Sequence, residues 1–332
     1  MTPPAPLRLE AHTERWPIAG AFTIARGSKT EARVIVAEIS DRAGHVGRGE
    51  STPYARYGET VEGCLAALDQ ARPALAGDGD LAALQRLLRP GAARNAVDCA
   101  LWDLKAKQAG APVWRLAGLD APRPVTTAYT ISLAAPAAMA QAARAAADRP
   151  LLKLKIGGPD DVERVAAVRS AAPRSRLIVD ANEGLDLDAL RRLLPDFQRL
   201  GVVLIEQPLK AGEDSDLAGL HSPVPLCADE SLHTRADLAA CVGRYACVNI
   251  KLDKTGGLTE AMALAAEARD LGLQIMVGCM VATSLAMAPA LLLAGDAAFV
   301  DLDGPLLLAK DREPGLVFEG STVHPPEPAL WG

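Results

Sequence analysis

Past residue 124 the sequence alternates between short apolar runs and alanine-rich amphipathic stretches, and few folds accommodate that pattern. The runs are residues 125–131, 151–156, 177–180, 202–206, 225–229, 247–251, 273–278 and 299–303, and helical stretches such as 160–172 and 258–271 lie between them. Apolar runs of this length read as strands buried on both faces, the mark of a parallel sheet. Eight strands separated by helices predict a closed (β/α) barrel, with an open doubly wound sheet as the alternative. The count of eight favours closure, and no glycine-rich nucleotide fingerprint follows the first strand.

The first part of the chain reads differently. Residues 33–39 form a clear strand, 41–44 a turn and 45–50 a returning strand, and 59–76, 80–88 and 94–109 have helical character. Strands followed by helices predict an α+β unit over residues 1–120, joined through Pro122 and Pro124 to a barrel over 121–304. Residues 305–332 contain several prolines and no clear helix, and are expected to fold back on the N-terminal unit.

Composition narrows the classes of partner. The net charge is −6 and the isoelectric point about 5.5, which argues against nucleic acid or an anionic membrane surface. The longest apolar stretch, 284–294, is too short for a bilayer span of ~20 residues. Six scattered cysteines without a C-x-x-C pair read as free thiols of a reducing compartment, and no signal peptide is evident, so the expected location is the cytoplasm. The composition leaves room for a homo-oligomer without specifying one.

Barrels of this kind carry their chemistry at the C-terminal ends of the strands. Those positions hold Lys153 and Lys155, Asp180, Glu206, Asp229, Lys251, and finally Asp301 and Asp303. Lys153 and Lys155 are two apart, so they project from one face of their strand, and mutual repulsion with burial should lower a lysine pKa into the range of a general base. Asp180, Glu206 and Asp229 each follow an apolar run, where an uncompensated carboxylate is costly. Three such acids on consecutive strands call for a cation, and an oxygen-only set suits Mg²⁺. Lys251 ends the strand across the barrel from Lys155, so two bases would flank one carbon from opposite sides.

These motifs together resemble the enolase superfamily and, within it, the muconate-lactonizing-type subgroup. They are Leu-Lys-Leu-Lys at 152–155, Val-Asp-Ala-Asn at 179–182, Glu-Gln-Pro at 206–208, Ala-Asp-Glu-Ser at 228–231 and Asn-Ile-Lys-Leu-Asp-Lys-Thr-Gly-Gly at 249–257. The resemblance implies a (β/α)7β modified barrel under an α+β cap made from the N-terminal region and the C-terminal tail, with one Mg²⁺. A finer resemblance, to the dipeptide epimerases, rests on residues 24–28, 51–58 and 299–305. It implies that Asp301 and Asp303 hold a dipeptide's α-ammonium, that Arg26 in a mobile loop of the cap faces a glutamate side chain, and that Thr130 contacts substrate. Lys153 would bind the substrate carboxylate. Lys155 or Lys251 would take the α-proton to give a metal-stabilised enediolate, and the other would reprotonate the opposite face. The expected substrate is L-Ala-D-Glu or its L,L epimer, from bacterial cell-wall turnover. The rivals are an N-acylamino acid racemase, an o-succinylbenzoate synthase or a cycloisomerase, whose substrates carry no free ammonium, and a non-catalytic metal-binding barrel.

Overall fold

A computed structural model describes residues 7–75 and 79–332. The chain begins with an antiparallel sheet of β1 (Arg8–Ile24), β2 (Gly27–Ser40) and β3 (Val46–Ser51), in that order. Three helices follow: α1 (Val61–Leu75), α2 (Leu81–Leu87) and α3 (Ala92–Ala109). Alternation along β2 sends Ile35, Ala37 and Ile39 into a cluster with Leu68, Leu84, Ala96 and Leu101 of the helices. The α3 helix lies directly on β3. A Cβ at Gly47 or Gly49 would stand 2.1 Å from the carbonyl oxygen of Ala100 or Ala96, so only glycine permits that approach. This sheet and its helices form the cap.

After the short α4 (Val113–Leu116), the expected first barrel strand divides in two. β4 (Val125–Thr126) leaves the barrel, and β5 (Tyr129–Ile131) opens it. The other barrel strands are β6 (Leu151–Lys155), β7 (Arg176–Asp180), β8 (Val202–Glu206), β9 (Leu226–Ala228), β10 (Cys247–Ile250), β11 (Gln274–Gly278) and β12 (Phe299–Asp301). All neighbouring pairs from β5 to β12 are parallel. No ladder joins β12 to β5. That seam is closed by Ala128 N–H donating to Val300 O (2.8 Å) and by Leu302 N–H donating to Thr127 Oγ1 (2.8 Å).

The intervening helices are α5 (Pro136–Ala145), α6 (Asp161–Ala171), α7 (Leu187–Arg199), α8 (Leu238–Cys241), α9 (Leu252–Thr255), α10 (Leu258–Asp270) and α11 (Ser284–Ala294). The alternation is incomplete between β8 and β9, where a single 3₁₀ turn, Ser215–Leu217, replaces a helix. Pro208, Gly212, Gly219, Pro223 and Pro225 deny that connection a continuous helix. The tail contains one helical turn that the sequence reading lacked, α12 (Gly304–Leu307), and two short strands, β13 (Phe318–Glu319) and β14 (Thr322–Val323). β14 pairs with both β13 and β4 in a third sheet.

Two local features aim the strand ends. The β7–β8 pairing shifts register between Leu177 and Ile178, so Asp180 stands opposite Glu206. Without that bulge Asp180 would face Ile205, whose side chain points the other way. The second feature is the β1–β2 hairpin, whose two-residue tip, Ala25 and Arg26, reaches down to the barrel mouth. It is held there by Leu133 N–H donating to Thr23 O (2.9 Å), and a Cβ at Gly157 would come within 2.9 Å of Ala25 Cβ.

Candidate active site

The hairpin tip, the loop over residues 52–62 and the ends of the barrel strands enclose a cavity of about 940 Å³. Eight of the expected site residues line it: Arg26, Thr130, Lys153, Lys155, Asp229, Lys251, Asp301 and Asp303. Asp180 and Glu206 lie beneath its floor, with no exposed surface. Cys279 and Met280, at the end of β11, also reach the wall.

Burial forces these charges to pair. Lys155 Nζ donates to Asp180 Oδ2 at 2.6 Å. Lys153 Nζ stands 2.7 Å from both Asp301 Oδ2 and Glu206 Oε2, and 3.2 Å from Asp180 Oδ2. Lys251 Nζ donates to Asp229 Oδ2 at 2.7 Å, and Lys254 Nζ to Asp229 Oδ1 at 2.6 Å. Three strands lie between β6 and β10 on each side of the ring of eight, so Lys155 and Lys251 face one another across the cavity.

The electrostatics differ from the sequence expectation. Burial alone pushes the Lys153 ammonium down, but Asp301, Glu206, Asp180 and Asp229 together hold it well above the usual lysine range. Lys251 behaves alike: burial lowers it, and Asp229 and Glu206 more than reverse that. The fall expected from the closeness of the two lysines of β6 is therefore not met at Lys153, because attraction to carboxylates outweighs repulsion between ammonium groups. Asp301 is not uncompensated either, since Lys153 pairs with it. Asp303 accepts Thr130 N–H at 2.6 Å, and burial, then Asp301, pushes its carboxyl up to about 7. Lys254 is buried as well and holds Asp229 in place.

The acids at the floor suit a hard cation in their chemistry: three buried carboxylates on neighbouring strand ends, oxygen donors throughout. Glu206 Oε2 is buried and accepts no hydrogen bond, although Lys153 Nζ is close, whereas Oε1 takes one from Asn249 Nδ2 at 2.8 Å. Among the described residues the three do not converge on one point, because each is drawn towards a lysine.

Arg26 sits at the cavity rim among acids. Its Nη1 donates to Asn182 O (2.6 Å) and Glu183 Oε2 (3.1 Å), and its Nη2 to Tyr54 OH (3.0 Å) and Glu230 Oε1 (2.7 Å). Arg56 grips both oxygens of Glu183 at 2.7 Å each. Gln207 sits behind the strand ends, where its Oε1 accepts Asp229 N–H at 2.8 Å and Ser231 N–H at 3.1 Å. Asn182, Glu183 and Gln207 all have positive φ (45°, 67° and 34°), strained backbone clustered where the strands open into the site. Sequence reading assigned no role to Glu183, Glu230, Arg56 or Gln207. The available signal was position: Glu230 follows Asp229 directly, and Glu183 lies three residues past Asp180.

Residues 8–118 match the mandelate racemase/muconate lactonizing enzyme N-terminal domain, and residues 137–328 the enolase C-terminal domain-like family. The chain belongs to this family. It is 47% identical over 313 residues to the L-Ala-D/L-Glu epimerase of Escherichia coli K12, spanning 94% of this chain and 97% of that one. It is also 47% identical over 302 residues to an N-acetyl-D-glutamate racemase of a Pseudoalteromonas species, with 90% and 95% covered. A crystal structure of an enolase family member from Agrobacterium tumefaciens, with bound sodium and L-Ala-L-Glu, superposes at a TM-score of 0.96 with 53% identity, covering 98% of this chain and all of that one. The dipeptide epimerase of Methylococcus capsulatus, complexed with Mg and L-Arg-D-Lys, superposes at 0.90 with 33% identity and 99% of each chain covered. Relatives of this kind are epimerases and racemases, and the protein is an isomerase.

Proposed function

We propose that this isomerase epimerises dipeptides at the α-carbon of the second residue, with L-Ala-D-Glu and L-Ala-L-Glu as its principal substrates, by 1,1-proton transfer between two lysines. The observation that carries the reading is the placement of Lys155 and Lys251 at opposite walls of one cavity, four strands apart. A single base can return a proton only to the face it came from, whereas two facing bases allow inversion.

In this reading the substrate carboxylate lies at the floor beside Lys153. One of the two lysines accepts the α-proton at Nζ, and the electron pair passes into the carboxylate as an enediolate. The ammonium of Lys153 faces that growing charge. The other lysine then delivers its proton to the opposite face of the carbon. A Mg²⁺ held by Asp180, Glu206 and Asp229 would supply further positive charge to the carboxylate. Asp301 and Asp303, at and just beyond the end of β12 and beside Thr130, receive the α-ammonium, and Arg26 meets the acidic side chain. Murein peptides in the cytoplasm are the source we infer for such a substrate.

N-acylamino acid racemisation is the second reading, favoured by the likeness to the Pseudoalteromonas enzyme. A substrate of that kind would bring no cation to Asp301 and Asp303. The experiment compares α-deuterium incorporation in D₂O from L-Ala-D-Glu and from N-acetyl-D-glutamate. Rapid exchange of the dipeptide alone is the expected result. Equal or faster exchange of the acetylated amino acid would replace the epimerase reading with the racemase one.

A further inference from the structure

Both terminal nitrogens of Arg26 are engaged by its own chain. A guanidinium has two N–H bonds on each terminal nitrogen. Here Nη1 serves Asn182 O and Glu183, and Nη2 serves Tyr54 and Glu230. Only the Nε–H is left, yet bidentate pairing with a substrate carboxylate needs two parallel donors. One of these internal bonds must therefore be given up when an acidic side chain arrives.

The two acids are not equally held. Glu183 is gripped by Arg56 through both oxygens and also accepts Ala211 N–H at 2.9 Å. Among the described residues Glu230 has one hydrogen-bond partner for its side chain, Arg26, through Oε1, and its buried Oε2 has none. The charges thus divide into two pairs: Arg56 neutralises Glu183, and Arg26 neutralises Glu230.

Resting on the acidic-dipeptide reading above, we propose that Glu230 is an internal stand-in for the substrate's side-chain carboxylate, released from Arg26 when an acidic second residue binds. Arg56 is the second positioning residue: by neutralising Glu183 it keeps that acid from claiming Arg26 as well. Preference for acidic over neutral dipeptides is then set by the competition among carboxylates around Arg26, and the guanidinium is one part of it.

The test is the ratio of kcat/KM for L-Ala-L-Glu to that for L-Ala-L-Gln, two substrates of nearly the same shape that differ in charge. Effects on folding, metal binding or the lysines act on both and cancel. Glu230→Gln removes the competitor, and the ratio should rise on the order of tenfold, equivalent to about 1.4 kcal/mol. Glu230→Asp, with its carboxylate drawn back by one methylene, should move it the same way by less, and serves if the glutamine variant folds poorly. Arg56→Met leaves Glu183 to compete for Arg26, so the ratio should fall, and Arg56→Lys should restore part of it. An unchanged ratio in Glu230→Gln overturns the proposal. A fall in both Glu230→Gln and Arg56→Met does so too, since that is what a merely loosened hairpin would give. An unaltered enzyme with no preference for Glu over Gln would overturn the acidic-dipeptide reading itself, and this proposal with it.

Discussion

Lys155 and Lys251 each touch one buried carboxylate, Asp180 and Asp229 respectively, and each reaches one wall of the cavity. Replacing either by alanine should reduce epimerisation by at least the ~10²–10⁴-fold ascribed to one general base. The surviving lysine should still exchange the α-hydrogen of one epimer with solvent, so the two variants should take up deuterium from opposite epimers, which NMR in D₂O would resolve. Exchange of the same epimer by both variants would contradict the facing-base geometry. Asp303 is the second residue-scale case. Asp303→Asn keeps the acceptor for Thr130 N–H but removes the charge, and kcat/KM for L-Ala-D-Glu should fall by the ~1.5–3 kcal/mol of a charged hydrogen bond. An unchanged value would free Asp303 from any role in ammonium binding. These positions were legible in the sequence because each polar residue interrupts or ends an apolar run. The pairing of Asp301 with Lys153 was not, since β6 and β12 are far apart in the chain and meet only inside the ring.

At the scale of elements, the ends of β7, β8 and β9 act as one unit. The bulge after Leu177 sets Asp180 beside Glu206, and Gln207 ties the start of the next loop to Asp229 N–H. Chelation should abolish deuterium exchange and Mg²⁺ should restore it, and titration calorimetry should give one site per chain that is lost in Glu206→Gln. Exchange that survives chelation would mean that these acids serve the lysines alone. The hairpin of β1 and β2 depends on a close approach at Gly157. Gly157→Ala should raise KM for L-Ala-D-Glu with little change in thermal midpoint, and Ala25→Gly in the same chain should recover part of the loss. If KM is unaffected, the seating of the hairpin tip does not govern binding. Strand identities could be read from apolar runs, but the register shift and the division of the first barrel strand could not. Both depend on partners, Val203 in one case and β14 in the other, that local pattern does not specify.

At the scale of the whole molecule, buried polar links join cap and barrel in addition to apolar contact. Arg312 of the tail joins Glu14 (2.7 Å) and Glu50 (2.8 Å) of the cap, Glu50 in turn accepts Thr283 N–H of the barrel (2.8 Å), and Asp253 accepts from Thr52 N–H (2.9 Å) and Asn95 Nδ2 (3.0 Å). Arg94 donates to the carbonyl oxygens of Thr255 (2.6 Å) and Gly256 (3.0 Å). The tail completes the arrangement. Trp331 is buried in the main core and donates from Nε1 to Cys99 O at 3.0 Å, and Gly332 N–H donates to Asp103 Oδ1 at 2.8 Å. Trp331→Ala should cost about 3–5 kcal/mol in denaturant unfolding, the usual range for a buried aromatic. A loss below about 1 kcal/mol would show the tail to be a loose wrapping, well under that range.

That tail contact also has a consequence for how the chain is made. Cys99 and Asp103 of α3 precede their tail partners by 232 and 229 residues. At ~5–20 residues per second, a ribosome would take roughly ten to fifty seconds to cover that distance. Throughout that interval neither Trp331 nor Gly332 is yet present to cover the Cys99 carbonyl and the Asp103 carboxylate. The cap is thus synthesised before the barrel and sealed only after it, and the face of α3 is the surface a nascent chain must keep from its neighbours until the tail arrives.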